Sequence, residues 1–370
     1  MTLEPIATPM PVAVLGGGNG GHAMAFYLAS LGCEVNWWVA DSADAATISK
    51  GGVVTAVGAF SGSAPLTLVS DDVSSVLKDI ELVFVVLPSS AHGAVAEEVA
   101  SHLTGRETII LSPGRTGGVV CFKRLLSRFG RFPKLTVGET QSLIFTCRKI
   151  GPGFVDFLKF KDFGQIAFIG PLQLHVEELL SAAFPQMRIE DSTLSTGLAN
   201  YGAILHPAPV LFNIGRIEDP AAPYLRYYDG ITPTVARFIE KMDAERIQLA
   251  EIFGIETAST LKWHELCYGV GGENLFETLR VNERYASLEA PRNLGHRYIH
   301  EDVPTGLVPM IVLADAVGHD VPCMKAVLEI ANLVLDREFV RPGRDAESMG
   351  IEEGFSIEQI KQLFRGTSQA

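Results

Sequence analysis

The chain has 370 residues, with 30 Lys plus Arg and 43 Asp plus Glu, so its formal net charge is −13 at pH 7. This length predicts two or three domains, and 47% hydrophobic against 20% charged residues predicts packed cores without disorder. The acidic balance argues against a nucleic-acid partner or an anionic membrane surface, since both require a positive field. The net charge does not exclude small anionic substrates, which local basic pockets can bind.

Neither export nor membrane insertion is expected. The longest strongly apolar runs, such as 82–87, are far shorter than the ~20 residues that span a bilayer. The first eleven residues contain three prolines and no Lys or Arg, which is not the pattern of a signal peptide. Five cysteines without a Cys-x-x-Cys pair favour reduced thiols, no structural metal site and a cytoplasmic location.

The first half alternates short apolar runs with helical patterns, which is typical of βαβ units and a parallel sheet. A helix is predicted over 20–31, and residues 51–68 are expected as strands or loops inserted before the strand at 82–87. The strands of the sheet are predicted at 12–15, 34–39, 82–87, 108–111, 135–145 and 165–169.

From about residue 191 helical patterns dominate. They cover roughly 191–217, 232–253, 256–268, 273–281, 305–317 and 322–336, and a short capped helix starts at Ser356. The predicted fold class is therefore α/β, with an N-terminal Rossmann-type domain over 1–190 and an all-helical second domain over 191–370.

A glycine-rich loop is the strongest local motif. Gly16, Gly18 and Gly21 form Gly-x-Gly-x-x-Gly between the first predicted strand and the first helix. The first glycine permits a tight turn, the second lets a pyrophosphate approach the backbone, and the third allows helix–strand packing. Together with Asn19 and Gly20 at the helix N-terminus, the loop predicts a dinucleotide site.

The choice between NAD and NADP depends on the end of the second strand, where an acidic residue would bind the adenosine ribose. Val39 occupies the expected position and Asp41 comes slightly later. No Lys or Arg lies between residues 32 and 49 to bind a 2′-phosphate. We therefore expect NAD held by Asp41, with NADP as the alternative; Asp41 as a solvated loop residue is the other interpretation.

Two loops follow later strands, at the sheet edge where open α/β folds bind ligands. Pro88–His92 comes after the strand at 82–87, and residues 112–118 come after the strand at 108–111. We predict that Pro88 contacts the cofactor. Both loops, and His92 in particular, are equally consistent with ordinary surface turns.

The helical half holds two polar groups in apolar surroundings. Asn200 precedes His206 by six residues, and Pro207 disturbs the helix at that histidine. Farther along, Arg297, Glu301 and Asp302 come just before another helix. From the residues alone, a structural histidine and a helix N-cap at Asp302 remain open.

These motifs resemble the opine dehydrogenases, most closely the N-(1-D-carboxyethyl)-L-norvaline dehydrogenase branch and the octopine/nopaline type. The similarity extends from residue 12 to about 350. The motifs that carry it lie at 14–22, 137–140, 143–148, 200–209, 230–233, 243–246 and 297–309.

The resemblance implies an active site enclosed by a Rossmann domain and a helical domain. It assigns His206 as the general acid/base and Asp302 as its orienting partner, which would raise the pKa of His206. Arg297 would clamp the carboxylate of the 2-oxo acid. Asn200, Thr140 and Cys147 would line the substrate site, with helix capping or burial as alternatives.

The resemblance thus implies reversible, NAD(P)H-dependent reductive condensation of an amino acid with a 2-oxo acid, pyruvate being expected. The partners would be these small molecules, and the hypothesis for assembly is a homodimer formed through the helical domain. Val39 and Trp263–His264 depart from the family's pattern, so the amino acid is not transferable. Alternative hypotheses are a carbonyl reductase of the ketopantoate or glycerol-3-phosphate type and a non-catalytic dinucleotide sensor.

Overall fold

The computed structural model describes residues 3–219, 221, 223–341 and 343–365. It divides into two units. The first contains the chain up to Gly114 and Gly118–Thr193, and the second contains Arg115–Gly117 and Leu194–Phe364. Sequence analysis placed the division at residue 190 and did not anticipate that three residues from the first half would belong to the second unit.

The first unit contains all the strands named here, together with six α-helices and a short 3-10 turn at Ser89–Ala91. Its strands are β1 (Val12–Leu15), β2 (Val35–Trp38), β3 (Val53–Gly58), β4 (Gly62–Pro65), β5 (Leu68–Ser70), β6 (Leu82–Val85), β7 (Thr108–Leu111), β8 (Thr136–Thr140), β9 (Phe145–Gly151), β10 (Phe154–Phe160), β11 (Gly164–Ile169) and β12 (Met187–Glu190). Its helices are α1 (Asn19–Ser30), α2 (Ser42–Gly51), α3 (Val73–Leu77), α4 (His92–Ala100), α5 (Gly118–Leu126) and α6 (Leu174–Ala183).

Eight strands form the main sheet, in the order β12-β11-β8-β7-β6-β1-β2-β5. All neighbours are parallel except β8 and β11. Strand β1 is buried along its whole length, and the chain proceeds to opposite sides of it through β2 and β6. Ligands of such sheets bind at this switch point, at the carboxyl ends of the strands. The predicted fold class is confirmed.

A second, four-stranded sheet was not predicted. Its order is β4-β3-β10-β9, with β3 and β10 parallel. Sequence analysis assigned residues 135–145 to one strand, whereas the structure ends β8 at Thr140 and begins β9 in the other sheet at Phe145. Aromatic packing explains the change, because Phe145 and Phe160 contact the ring of Tyr27 on α1.

From Thr193 onward the regular elements are helices. They are α7 (Thr193–Leu198), α8 (Tyr201–Leu205), α9 (Pro207–Leu211), α10 (Ile214–Ile217), α11 (Pro233–Ile252), α12 (Thr260–Tyr268), α13 (Leu275–Val281), α14 (Arg297–His300), α15 (Val308–Ala316), α16 (Pro322–Leu335), α17 (Ala346–Met349) and α18 (Ile357–Arg365), with a 3-10 turn at Glu283–Tyr285 and a π-helical turn at Val303–Leu307. None of the described helices is long and apolar enough to cross a bilayer.

The single helix predicted over 191–217 is four short helices. Asn200 caps α8, accepting a hydrogen bond at Oδ1 from the Ala203 N–H at 3.4 Å. His206 separates α8 from α9, because Pro207 is at the first position of α9 and cannot donate a backbone hydrogen bond. The break places a histidine side chain at a helix junction instead of along a helix face.

Candidate functional site

The glycine loop adopts a conformation that only glycine accommodates at two positions. Gly16 has φ +135°, and a Cβ there would lie 2.4 Å from the Val86 carbonyl oxygen. A Cβ on Gly21 would lie 1.8 Å from the Gly16 oxygen. At Gly18, by contrast, a Cβ would meet nothing within 4 Å. The loop therefore leaves open space at the glycine that a pyrophosphate approaches in dinucleotide sites.

The N-terminus of α1 completes this candidate site. No side chain caps the helix at Gly18, so the backbone N–H groups of its first turn are available to phosphate oxygens. Asn19 and Gly20 lie in that turn. The donors and the open space fit a dinucleotide pyrophosphate.

Two buried aromatic side chains hold the loop in place. The indole N–H of Trp37 donates to the Gly16 oxygen at 2.8 Å, and His22 Nδ1 contacts the Gly18 oxygen at 2.9 Å. The other nitrogen of His22 accepts from the Gly153 N–H at 3.2 Å. Burial lowers the pKa of His22 from 6.5 to about 4, so the ring stays neutral, as this pattern of one donor and one acceptor requires.

Lys149 supplies a cation beside the loop that sequence analysis did not find. Its Nζ donates to the Gly17 oxygen at 3.3 Å and forms an ion pair with Asp44, in the first turn of α2. Its backbone N–H donates to the Asn19 side-chain oxygen at 2.8 Å. Lys149 is on β9, so no inspection of residues 32–49 reveals it.

Asp41 is exposed and caps α2, since its carboxylate accepts from the Asp44 N–H at 2.9 Å. This is compatible with the predicted ribose contact, because one carboxylate oxygen suffices for the cap. Pro88 is exposed after β6 and begins the 3-10 turn, as the predicted edge position requires. His92 is buried and packs edge-on against Phe122.

Two residues predicted to bind substrate lie inside the first unit. The Cys147 thiol donates to the Asn19 carbonyl at 3.3 Å, and burial raises its pKa to about 12. Thr140 is buried, and its hydroxyl donates to Ser112 Oγ at 3.1 Å. Both lie among residues of the dinucleotide-type unit, and their substrate contacts remain a prediction.

The second unit brings His206 and Asp302 together. His206 Nδ1 lies 2.7 Å from Oδ2 of Asp302, although 95 residues separate them in the chain. Asp302 is fully buried, whereas the His206 side chain is 18% exposed. A carboxylate on Nδ1 fixes the tautomer, so Nε2 is the nitrogen that can exchange a proton with a ligand.

Arg115 is the residue of this site that sequence analysis missed. Its Nη1 lies 3.1 Å from Oδ1 of Asp302 and 3.2 Å from the Asn200 oxygen, and its Nη2 lies 3.5 Å from Glu301. It is buried and has φ +67°, which is uncommon outside glycine. The one available signal was its position as the sole charged residue in the loop over 112–118.

Gly202 makes room for this ion pair. A Cβ at position 202 would lie 2.5 Å from Arg115 Nη1 and 3.1 Å from Asp302 Oδ1. Asn200 supports it from the other side, because its amide nitrogen donates to Thr116 Oγ1 at 3.3 Å while its oxygen accepts from Arg115. Both polar atoms of Asn200 thus have protein partners, which favours the capping alternative over a substrate contact.

Both pKa values of the dyad are lowered, which favours a neutral imidazole on His206 and an ionised carboxylate on Asp302. Burial and the Arg226 guanidinium lower the pKa of His206 from 6.5 to about 3, against the raising effect of Asp302. Arg115 and His206 hold the pKa of Asp302 well below 3.8 in spite of its burial. The resemblance implied a raised pKa for His206, whereas burial and Arg226 outweigh the carboxylate and favour the neutral imidazole.

Arg297 is on the rim of the same charged group. Its Nε donates to Glu301 at 3.0 Å, and its side chain is 55% exposed while that of Glu301 is 3% exposed. An ion-paired chain therefore runs from Arg297 through Glu301 and Arg115 to Asp302. Trp263 and Tyr268 belong to an aromatic cluster of the same unit: Trp263 stacks on Tyr201 at 4.8 Å and contacts the Tyr268 ring edge-on.

Two sequence profiles of known families match parts of the chain. A sequence profile described as the alpha-helical domain of NAD/NADP octopine/nopaline dehydrogenase matches residues 189–335. One described as the N-terminus of NAD-dependent glycerol-3-phosphate dehydrogenase matches residues 11–117.

Individual relatives cover nearly the whole chain. An opine dehydrogenase of Arthrobacter sp. (strain 1C) is 36% identical over 341 residues, which are 92% of this chain and 94% of that protein. The protein ocs of Agrobacterium tumefaciens (strain Ach5) is 25% identical over 359 residues, 96% and 99% of the two chains.

Solved structures share the fold. Octopine dehydrogenase with NADH and pyruvate has a TM-score of 0.78 at 20% identity, covering 95% of this chain and 98% of its own. Yersinopine dehydrogenase with NADP+ has a TM-score of 0.73 at 14% identity, covering 97% and 98%.

Proposed function

Since this chain belongs to the opine dehydrogenase family, we propose that His206 and Asp302 serve its reaction as an acid–base pair, with pyruvate as the 2-oxo acid and NAD as the preferred cofactor. The reaction itself is the NAD(P)H-dependent reductive condensation of an amino acid with a 2-oxo acid. The proposal places it among the oxidoreductases acting on CH–NH groups.

One observation carries the assignment of roles. The Asp302 carboxylate is fully buried, accepts from His206 Nδ1 at 2.7 Å and is ion-paired with Arg115. Burying a charge is costly unless it is paired, and a carboxylate held in this way supports an imidazole that changes protonation state. A histidine used only for packing would not require it.

The neutral form of His206 suits the first step of condensation. An amino acid arrives as an ammonium ion, which cannot attack a carbonyl until it loses a proton. Neutral imidazole accepts that proton, and Asp302 stabilises the imidazolium that results. The free amine then adds to the carbonyl carbon of the 2-oxo acid and forms a carbinolamine.

The same proton completes the cycle. His206 returns it to the carbinolamine hydroxyl, which leaves as water and produces the iminium. The reduced nicotinamide, when bound, supplies the hydride that converts the iminium to the secondary amine. Amino acid, 2-oxo acid and reduced cofactor thus give the neutral secondary amine of the opine, water and oxidised cofactor. That amine takes up one proton near neutral pH, so the overall reaction consumes one proton from solvent. Arg297 holds the carboxylate of the 2-oxo acid in this scheme.

Pyruvate and NAD are proposed on narrower grounds. Pyruvate is the 2-oxo acid bound by the structurally similar octopine dehydrogenase. NAD is favoured over NADP because Asp41 and Asp44 place two negative charges after β2, where a 2′-phosphate would be repelled, and Lys149 supplies one positive charge there. We also propose a cytoplasmic location, supported by five cysteines that are not paired in disulfides. The homodimer remains a prediction, checked by sedimentation equilibrium.

The test measures the oxidation of NADH and of NADPH, from the change in nicotinamide absorbance, in the presence of pyruvate and a panel of amino acids. Each component is omitted in turn. We expect oxidation that requires both the 2-oxo acid and the amine, faster with NADH. Oxidation with the 2-oxo acid alone would replace this proposal with a carbonyl reductase. Dinucleotide binding without turnover on a panel of amines and oxo acids would favour a sensor.

A further inference from the structure

Arg226 is a buried cation for which the described part of the chain provides no carboxylate partner. The residue is 5% exposed. Its guanidinium lies over two aromatic rings, 3.7 Å from the Tyr298 centroid and 4.4 Å from the Tyr227 centroid. Its Nε and Nη2 are buried and have no hydrogen-bond partner among the described residues.

Arg246 shows how this protein treats a buried arginine with a structural role. It is fully buried and ion-paired with Asp243. Its Nη1 donates to the Leu198 carbonyl and to Thr257 Oγ1, and its Nη2 also donates to the Ala258 carbonyl. Among the described residues Arg226 has no comparable partner, and the contacts its guanidinium makes there are with ring faces, which are far weaker partners than a carboxylate.

Burial of an unpaired cation is expensive. Such a group is tolerated where a ligand brings the counter-ion. The two unpartnered nitrogens share one edge of the guanidinium plane, and that edge is the fork that binds a carboxylate through two parallel hydrogen bonds. The partner that Arg226 lacks is therefore a single carboxylate group.

Arg226 belongs to the His206 site. The Tyr298 ring lies between the two residues, 4.4 Å from the imidazole centroid and 3.7 Å from the Arg226 Cζ. Arg226 is also the charge with the largest effect in lowering the pKa of His206. A carboxylate on Arg226 is consequently close to the group that exchanges protons with the amine.

We propose that Arg226 binds the α-carboxylate of the amino acid substrate. The inference rests on the proposed function. An opine is a secondary amine whose two α-carbons each carry a carboxylate, and Arg297 is assigned to the carboxylate that comes from the 2-oxo acid. Arg226 then discriminates an amino acid from the corresponding amine that lacks the carboxyl group. Carboxylate binding also neutralises the cation nearest to His206 and so favours the imidazolium when the ammonium proton is transferred.

The experiment compares the amino acid that the enzyme uses best with its decarboxylated amine, each with saturating NADH and pyruvate. Wild type should prefer the amino acid in kcat/KM by at least 100-fold. Arg226→Gln should reduce that preference to within about threefold through a higher KM for the amino acid, with the KM for pyruvate nearly unchanged. Arg216→Gln is the matched control, because Arg216 also lies over a tyrosine ring, Tyr224, but is exposed.

Preserved discrimination in folded Arg226→Gln would overturn the proposal, and so would a selective rise in the KM for pyruvate. If that variant does not fold, Arg226→Lys is measured instead, because it keeps the charge and the aliphatic part of the side chain but cannot donate two parallel hydrogen bonds. We expect Arg226→Lys to lose about tenfold in discrimination, and full discrimination by this variant overturns the proposal.

A binding measurement separates this inference from the proposed function. Iminodiacetate carries two carboxylates on one nitrogen and needs no turnover, and N-methylglycine carries one. By calorimetry with saturating NAD+, wild type should bind iminodiacetate at least tenfold more tightly, and Arg226→Gln should lose that advantage. Retention of the advantage in Arg226→Gln overturns the role of Arg226. If Arg226→Gln loses the advantage but the wild-type enzyme condenses no amine with a 2-oxo acid, the role of Arg226 in binding a carboxylate is supported and the proposed reaction is overturned.

Discussion

Arg115 Nη1 lies 3.1 Å from Oδ1 of Asp302, the carboxylate whose other oxygen contacts His206 at 2.7 Å. The arginine therefore serves the dyad without touching the imidazole: it keeps Asp302 ionised in a buried position. It does so from a backbone conformation with φ +67°, which is the kind of strain that tertiary structure retains at functional sites.

His206→Ala should lower kcat by about 10²- to 10⁴-fold, the usual contribution of a general acid–base group. Affinity for NADH should stay within about twofold, because the dinucleotide site is formed by the glycine loop. Steady-state rates and fluorescence titration with NADH measure the two quantities. A variant that keeps kcat within tenfold of wild type would remove His206 from the mechanism.

Arg115→Met should destabilise the protein by about 3–5 kcal/mol, because it leaves Asp302 buried without its cation. Arg115→Lys should recover part of that loss. Arg106→Met removes the same charge from an exposed position and should change stability by less than about 0.5 kcal/mol. Urea unfolding at neutral pH measures all three, and equal stability of the two methionine variants would contradict the role of Arg115.

The pH dependence of the reductive reaction should show no histidine limb near 6.5. Burial and Arg226 lower the pKa of His206 to about 3, so the neutral base persists as pH falls from 7.5 to 5.5. We expect kcat/KM to stay constant within about twofold over that range, with folding checked by circular dichroism. A decline with an apparent pKa near 6.5 would show that the imidazole titrates as it does in solution.

Stability should decrease on acidification through the same range. The pKa values of His22 and His264 are lowered by burial from 6.5 to about 4, so the unfolded state binds more protons between these values. Their contribution is complete above pH 6.5 and is lost as pH falls toward 4, by roughly 3 kcal/mol for each group. Urea unfolding at pH 7, 6 and 5 measures the slope.

His264→Gln should reduce that slope by up to one proton. The exposed His102 offers a control, since His102→Gln leaves the buried histidines in place. An unchanged slope in His264→Gln would show that the buried ring is not the group that takes up the proton.

Cofactor preference should respond to Asp44. The Asp44 carboxylate is paired with Lys149, so Asp44→Asn frees the ammonium group to bind a 2′-phosphate. We expect the kcat/KM for NADPH relative to NADH to rise about tenfold, the value of one charge-assisted contact of ~1.4 kcal/mol. Asp72→Asn alters an exposed N-cap acid on α3 and should leave the ratio unchanged. The same ratio in both variants would exclude Lys149 from cofactor choice.

Local patterns were sufficient for part of the site. Strand β1, the glycine loop and α1 are contiguous, and the motif that joins them contains two glycines, Gly16 and Gly21, that steric crowding requires. The His206–Asp302 pair followed from a resemblance between motifs, and the structure brings the two side chains into contact. Arg115 and Lys149 did not follow, because each acts on residues that a local pattern does not connect to it.

The amino-acid sequence by itself determined the α/β class and the dinucleotide loop, since these depend on hydrophobic periodicity and on residue types at fixed short spacings, whereas the candidate acid–base residues came from the resemblance to the opine dehydrogenases. Only the tertiary structure decided that β9 and β10 belong to a second sheet, that Lys149 reaches Gly17, and that Arg226 is buried without a carboxylate partner among the described residues. Those outcomes depend on which segments, distant in the sequence, are buried next to one another. Ion pairing and pKa values are determined by that burial and by the charges it brings together, and not by neighbours in the chain.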